Sequence, residues 1–311
     1  MDTQGQEDPR WHGLGSRWFL FYEDGNVQQK TLKFAFSLDT GNGQIEELTL
    51  DNVKSFVRTN SYGGYGGVEA ECALYGLSLE LIGMLSPKDY SSLVLDGRQF
   101  DIAIYSGDIL IFEGAVRSAY ANMNTMPESP FVIQALAASD LRAKVIPPIS
   151  RTGVVNVSDL LDSLCQQNGY TFQPNLLGGL TESNPYYAGS VFAQIAAICL
   201  SHRLEFQPVG KIIHVWPAGK TRDAVMPKIS AENGLIGYPI HNANGLTFQT
   251  QYSPLLAFGR SVSLDTSLPG ASGLYLLTGV EHFLSSWVQG GNWHSVCNAV
   301  SVEAYERNKQ P

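Results

Sequence analysis

The chain has 311 residues, of which 44% are hydrophobic and 16% are charged, so it can bury about two or three compact cores. Its formal net charge of -9 argues against a protein that wraps nucleic acid, because duplex binding needs a basic face. The polar, acidic start is unlike a signal peptide, and no stretch approaches the roughly 18 apolar residues of a membrane-spanning helix. We therefore expect a soluble, non-secreted protein of several modules, with no membrane insertion.

Residues 1–16 lack periodicity and are interpreted as a flexible N-terminal arm. From residue 17 to residue 147 the pattern is that of strands separated by tight turns. The clearest candidate strands are 32–36, 53–57, 69–74, 100–105, 109–112 and 131–136. So many closely spaced strands are typical of a barrel or a sandwich. We predict that residues 17–147 form one β module.

Four glycines surround Tyr65 in the segment 63–67, between two of the candidate strands. A phosphate-binding loop would need a strand before it and a helix after it, and the helix is missing here. The segment is therefore predicted to be a mobile, functional loop tip.

Residues 148–228 are predicted to form a small α+β module. Here the hydrophobic period becomes that of a helix, with Asn156 or Ser158 as N-cap and Gly169 as the stop. One helix face carries Val157, Leu161, Leu164 and Cys165, and a second helix repeats it with Val191, Ile195, Ile198 and Cys199. A strand containing Phe-Gln-Pro follows each helix, which suggests an internally duplicated helix–strand unit.

Strand patterns resume at residue 229 and continue to the end of the sequence, which predicts a second β module over residues 229–311. Its candidate strands are few for a closed barrel. We therefore expect it to share strands with the segment around residues 100–145.

The four cysteines are far apart in the sequence and lack the close spacing of zinc or redox pairs. They are Cys72, Cys165, Cys199 and Cys297. Free cysteines are among the most buried residue types, so we predict four buried, unpaired thiols and a reducing compartment.

Two sets of residues are candidates for a peptidase site and for a metal site. Asp39-Thr40-Gly41 and Asp265-Thr266-Ser267 are each preceded by Ser-Leu, as in a two-lobed aspartic peptidase whose two aspartates share a proton. Asp and Gly are equally typical of turns, and the second motif lacks the peptidase glycine, so turns are the preferred interpretation. His282 and His294 near Glu281 lack any supporting metal-ligand pattern. We expect no catalytic residues, cofactor or metal, and the peptidase remains the alternative function.

The C-terminal part carries several motifs in a distinctive order: KISAENGLIGYP at 228–239, GLTF at 245–248, SPLL at 253–256, YLLTGVEH at 275–282 and GGNWHS at 290–295. Segments 109–114 and 126–135 continue this order upstream. In this order of motifs the chain resembles the baseplate hub proteins of tailed bacteriophages. The resemblance covers about two thirds of the chain and contributes little before residue 60.

The resemblance implies a homotrimeric structural protein of the virion, in the tail baseplate, assembled in the host cytoplasm. Each chain would contribute two β-barrels similar to the tail-tube fold, with the α+β module between them. The trimer would then form a pseudo-sixfold ring that joins the hexameric tail tube to a separate central spike, beside other baseplate proteins. Similar domains begin the spike proteins of type VI secretion systems. DNA would pass through the channel without specific binding, which suits the acidic charge.

Large aromatic residues in the most hub-like region are candidates for the subunit interface. Permanent interfaces are apolar and rich in aromatic residues at their centres. The candidates are Tyr275, Trp287 and Trp293. The alternative is that these side chains pack inside their own module.

Overall fold

A computed structural model describes residues 21–23, 26–28, 30–39, 45–86, 100–125, 128–243 and 245–302. The arm predicted at residues 1–16 lies outside the described residues. Within them, antiparallel strands predominate over a few short helices, so the predicted β-rich α+β class is confirmed. No helix of the described part is long and apolar enough to cross a membrane.

In the described residues, the first β unit has seven strands in the order β5-β6-β9-β8-β7-β3-β4, and every neighbouring pair is antiparallel. The strands are β3 (Lys33–Asp39), β4 (Ile45–Leu50), β5 (Ser55–Gly63), β6 (Gly67–Leu74), β7 (Phe100–Ser106), β8 (Ile109–Ala121) and β9 (Phe131–Leu136). Before them, β1 (Phe21–Glu23) and β2 (Asn26–Gln28) form a separate ladder. Alternate residues of β7 are buried, as expected for a sheet with one face on a core.

A short helix, α1 (Leu79–Leu85), follows β6, and Ser78 caps it by accepting a hydrogen bond from the Leu81 amide at 3.2 Å. Its last residue, Leu85, is buried in the same core as Phe34, Ile102 and Ile133. The helix therefore covers part of the apolar face that the strands leave open.

The middle unit contains three helices and seven short strands. The helices are α2 (Ser139–Ala143), α3 (Val157–Gln167) and α4 (Val191–Ser201). The strands are β10 (Val145–Ser150), β11 (Val154–Asn156), β12 (Thr171–Pro174), β13 (Thr181–Ser183), β14 (Tyr186–Ser190), β15 (Leu204–Val209) and β16 (Ile212–Pro217). Strands β10 and β14 pair, as do β11 and β13, while β16 lies between β12 and β15.

The predicted helix faces of the middle unit are confirmed. All eight apolar residues assigned to them are buried, Asn156 is the N-cap of α3, and Gly169 follows its end with a φ of +75°. The strand after each helix pairs with β16, β12 on one side in parallel and β15 on the other in antiparallel. The two similar helix–strand segments thus flank one common strand.

The second β unit contains β17 (Lys228–Ile229), β18 (Leu235–Asn242), β19 (Gly245–Gln251), β20 (Ser261–Leu264), β21 (Gly273–Ser286) and β22 (Trp293–Ser301). Five of these strands run in the spatial order β18-β19-β22-β21-β20, all antiparallel to their neighbours. This repeats the order β5-β6-β9-β8-β7 of the first unit, with the same order along the chain. The chain therefore contains one β topology twice.

The two β units form one continuous sheet. Strand β21 pairs antiparallel with β5, from Val280 opposite Ser61 to Ser286 opposite Ser55, and this seam joins the 13 strands of the described sheet. The expectation that the C-terminal module shares strands with residues 100–145 is wrong, because the shared ladder is made by β5. Alternation alone cannot identify which distant strand supplies a partner edge.

Three clusters of buried apolar residues correspond broadly to the three units. The core of the first unit also receives Tyr252, Leu284 and Trp293 from the C-terminal part of the chain. The predicted domain boundaries stay a prediction, since the cores interlock across them.

All four cysteines are buried and unpaired. Burial raises the pKa of the Cys165 and Cys297 thiols to about 12, so few thiolates form at neutral pH.

We predict that none of the four cysteines reacts with a thiol reagent in the native protein. All four should react in denaturant without a reductant. Recovery of two or fewer thiols under those conditions would contradict the expected reducing compartment.

Candidate assembly surfaces

The tip of the β5–β6 hairpin is docked between the other two units. The Gly64 amide donates a hydrogen bond to the Phe206 carbonyl of β15 at 2.9 Å. Beside it, the Tyr65 ring packs against Phe192 of α4 with centroids 5.9 Å apart, and Arg142 Nη2 donates to the Tyr65 carbonyl at 2.8 Å. Residues 63–67 thus form a hairpin tip, as predicted, with Tyr65 59% exposed. These contacts hold the tip against another unit, so the predicted mobility is not what the structure shows.

Gly63 is required by this close approach. Its φ is +67°, and a Cβ on it would lie 2.0 Å from Cε1 of Phe258 in the second β unit. Phe258 in turn packs against the buried Trp216 of the middle unit, with ring centroids 5.7 Å apart. Gly259 makes the same kind of contact with Trp216, since a Cβ there would lie 2.3 Å from the indole. The three units therefore meet at Gly63, Trp216 and Phe258, and we call this point the junction.

A buried polar network runs beside the aromatic contacts of the junction. Arg222, only 6% exposed, donates through Nη1 to Gln207 Oε1 at 2.8 Å, and Gln207 Nε2 donates to Ser61 Oγ of β5. Burial lowers the pKa of Arg222 to about 10, so the guanidinium stays charged at neutral pH. Because a buried cation is costly unless it is hydrogen-bonded, this network fixes the middle unit against the first.

Asp223 extends the network into the second β unit. Its carboxylate accepts hydrogen bonds from Arg260 Nε at 2.8 and 3.0 Å and lies 3.4 Å from Arg222 Nε. Burial alone would raise the pKa of Asp223, but the hydrogen bonds and charge of Arg260 hold it below its usual value. The acidic and basic groups therefore stay ionised together.

A cavity of about 300 Å³ lies beside the polar network of Arg222 and Gln207. Its lining includes Thr59, Phe112, His214, Arg222, Tyr252 and His282. Burial lowers the pKa of both histidines to about 4, so the two imidazoles are neutral at pH 7. The His282 ring lies edge-on to Tyr252 with centroids 5.0 Å apart.

The seam between β5 and β21 carries its own ion pair. Arg58 Nη2 lies 2.8 Å from Glu281 Oε2, and the Tyr62 hydroxyl donates to Glu281 Oε1. Burial would raise the pKa of Glu281, but these two partners hold it below its usual value. Arg58 also lies over the Phe283 ring, 5.6 Å from its centroid. This cluster adds polar specificity to the backbone ladder.

The candidate interface residues occupy three different environments. Tyr275 is buried in the core of the second β unit and its hydroxyl donates to the Ala271 carbonyl at 3.0 Å. Trp293 is buried in the first core, whereas Trp287 has a φ of +57° and is 48% exposed. A role of these residues at a subunit interface stays a prediction, and only Trp287 presents a large exposed surface to a partner.

The two aspartates of the peptidase alternative lie on strands far apart in the sheet order. Asp265, which directly follows β20, is 62% exposed and pairs with Lys228 at 3.4 Å. Six strands of the sheet path separate β20 from β3, whose last residue is Asp39. An aspartic dyad needs two carboxylates in contact, so the peptidase alternative finds no support.

The two histidines of the metal alternative occupy neighbouring positions of the β21–β22 ladder. His282 Nδ1 contacts Ser295 Oγ at 2.7 Å, while His294 stacks on Phe283. Within the described residues, no group of three His, Cys, Asp or Glu side chains could hold a metal ion.

Exposed apolar side chains concentrate on β18, at one end of the sheet path. Ile236, Tyr238 and Ile240 are 38%, 66% and 70% exposed. Among the described strands, β18 pairs only with β19 and so has a free edge. An apolar edge strand of this kind favours pairing with another strand.

Two solved structures share the fold of this chain over nearly their whole length. The tail protein from Neisseria meningitidis aligns with a TM-score of 0.55 at 9% identity, over 87% of this chain and 96% of that protein. The 43 kDa tail protein of prophage MuSo2 from Shewanella oneidensis aligns with a TM-score of 0.59 at 10% identity, over 88% and 98%. No protein-family model and no curated protein matches the sequence. The similarity is therefore one of fold.

A pair of adjacent glycines tests the junction. Gly63 and Gly64 both have positive φ, but a Cβ on Gly64 would contact nothing within 4 Å. Gly64→Ala should lower the free energy of unfolding by about 1–2 kcal/mol, the left-handed penalty. Gly63→Ala should cost about 1–3 kcal/mol more because of the clash with Phe258. Urea denaturation of both variants measures the difference.

The clash can be separated from other effects with a double-mutant cycle. Phe258→Leu should recover part of the additional loss in Gly63→Ala, so the two substitutions should be non-additive. Strict additivity, or equal losses in the two alanine variants, would show that Gly63 and Phe258 are not in contact.

The partly buried His282 predicts a pH dependence of stability. A folded-state pKa of about 4 for His282, against the usual 6.5, means that the unfolded state binds more protons between these values. The contribution of neutral His282 is therefore present above pH 6.5 and is lost as pH falls towards 4. As the pH falls from 6.5 to 4, the free energy of unfolding should decline less steeply in His282→Gln than in the unsubstituted protein. Parallel curves would contradict this assignment.

Proposed function

We propose that this chain is a structural protein of a bacteriophage tail and that it acts as the baseplate hub. Three copies would form a ring that adapts the hexameric tail tube to a trimeric central spike and surrounds the DNA channel. The observation that carries the proposal is the repeated β topology, combined with a fold shared with two tail proteins. Three chains with two equivalent β units each supply the six positions that a sixfold tube requires.

Contacts between strands that are far apart in the sheet order support a barrel-like closure of the first β unit. The Leu32 amide, just before β3, donates to Ser286 Oγ at the end of β21 at 3.3 Å. Lys30 lies over the Trp293 ring, 5.3 Å from its centroid. These contacts bring β3 beside the end of the strand that pairs with β5, so the sheet curls around its core.

The fixed connection between the two β units suits a structural ring. The β5–β21 ladder, the aromatic contacts of the junction and the Arg222 network all fix the angle between the two units. A constant angle is what closed rotational symmetry requires of neighbouring units. The acidic balance of the chain, with 29 acidic and 20 basic side chains, suits a channel through which DNA passes without binding.

We predict a homotrimer in solution at micromolar concentration. Light scattering should give three times the chain mass of 33.9 kDa, and electron micrographs of the particle should show a ring with six lobes. When both partners are added, the tail tube protein should bind one end of the ring and the central spike protein the other end. A chain that stays monomeric in the presence of both partners would contradict the hub function.

A further inference from the structure

The repeated topology gives each strand of the first β unit a counterpart in the second, and two counterparts differ in their pairing. Strand β18 corresponds to β5, because each opens the hairpin at one end of the five-strand order. On the side away from its hairpin partner, β5 pairs with β21. The same side of β18 carries no strand among those described.

The counterpart of β21 also has an open side. Strand β8 corresponds to β21, and both are long strands with a register shift near the middle. The C-terminal half of β21, from Val280, accepts β5 on the side that β20 has left. In β8, the pairing with β7 ends at Ala115, and no described strand covers that side of residues 116–121. One chain therefore holds both halves of a seam that it cannot close itself.

We propose that the free edge of β18 pairs antiparallel with the C-terminal half of β8 in a second copy of this chain. The intermolecular seam would then repeat the β5–β21 seam that already exists within the chain. This inference rests on the proposed trimer and specifies which surfaces make it. With equivalent seams inside and between chains, successive β units are related by one constant rotation, and three chains close the ring.

The internal seam also predicts the register of the new one. The last ladder pairs of the two hairpins, Gly63–Gly67 and Asn242–Gly245, correspond. Following the ladders from there matches Ser61 with His241, Asn60 with Ile240 and Glu281 with Ser118. Since Asn60 lies opposite Glu281, Ile240 should lie opposite Ser118 of the second copy.

The same register brings exposed apolar residues together. The same ladders match Arg58 with Ile236 and Phe283 with Tyr120. Arg58 lies opposite Phe283, so Ile236 should lie opposite Tyr120, which is 50% exposed. Tyr238 projects from the same edge strand at 66% exposure. Aromatic and β-branched residues form favourable cross-strand pairs, so these side chains would become the apolar centre of the seam.

The irregular centre of β18 limits what else can pair with it. The β18–β19 ladder shifts between Ile236 and Ile240, Gly237 has a φ of +69°, and Pro239 has no amide hydrogen to donate. Such features oppose the open-ended addition of flat strands.

A pair of lysine substitutions tests the seam. Ile240 is 70% exposed and Val154, on β11 of the middle unit, is 71% exposed, so the two positions are matched for exposure in the chain. Ile240→Lys should raise the concentration at which the trimer half-dissociates about 100-fold, because a charge is buried without a partner. Val154→Lys should leave this concentration unchanged. Each monomeric variant should melt at the same temperature as the unsubstituted monomer. A trimer of unchanged affinity in Ile240→Lys would overturn the proposed seam.

Cross-linking tests the register directly. Tyr120→Cys combined with Ile236→Cys should give a covalent trimer with a short thiol-specific cross-linker, and the buried native cysteines should not react. Tyr120→Cys combined with Val154→Cys is the control and should give none. A trimer by light scattering without this cross-link would overturn the seam and leave the hub function standing. A monomeric unsubstituted protein would overturn both, and cross-linking within one chain or to the tube protein would exclude a second copy as the occupant.

Discussion

The β5–β6 hairpin contacts all three units of the chain, and their arrangement depends on it. Its strands belong to the first β unit, its outer edge pairs with β21 of the second, and its tip donates to Phe206 of the middle unit. Backbone ladders resist shear because a slip by one residue exchanges the two faces of the strand. The hairpin therefore sets both the spacing and the angle between the units.

Buried charge at the junction adds specificity to this arrangement. Arg222, Asp223 and Arg260 form a network in which each charged group has a partner. A movement of one unit relative to another would take such a group away from its partner. Removing one member of such a network leaves an unpaired buried charge, which is strongly destabilising. The apolar contact of Phe258 with Trp216 supplies burial, and the network fixes the relative orientation of the units.

The repeated β topology connects the architecture to assembly. The chain joins its two equivalent units through β5 and β21, and no described strand covers the equivalent edges of β18 and of the C-terminal half of β8. The proposed seam uses these two edges to bind a neighbouring copy. A ring made this way would use one kind of contact throughout, as tubes built from identical subunits do. The exposed apolar residues of β18 then have a role in the assembled particle rather than in the isolated chain.

The sequence by itself determined the β-rich class, the two helices of the middle unit with their caps, and the buried cysteines, because these follow from local periodicity and residue type. It also carried a resemblance to tail hub proteins. Only the tertiary structure decided that β5 supplies the shared ladder, that Gly63 and Gly64 dock against another unit, and that Trp293 enters the first core. Each of these depends on contacts between residues distant in the chain, such as Gly63 with Phe258. Local pattern cannot specify such contacts, since many strands share the same alternation and only packing distinguishes their partners.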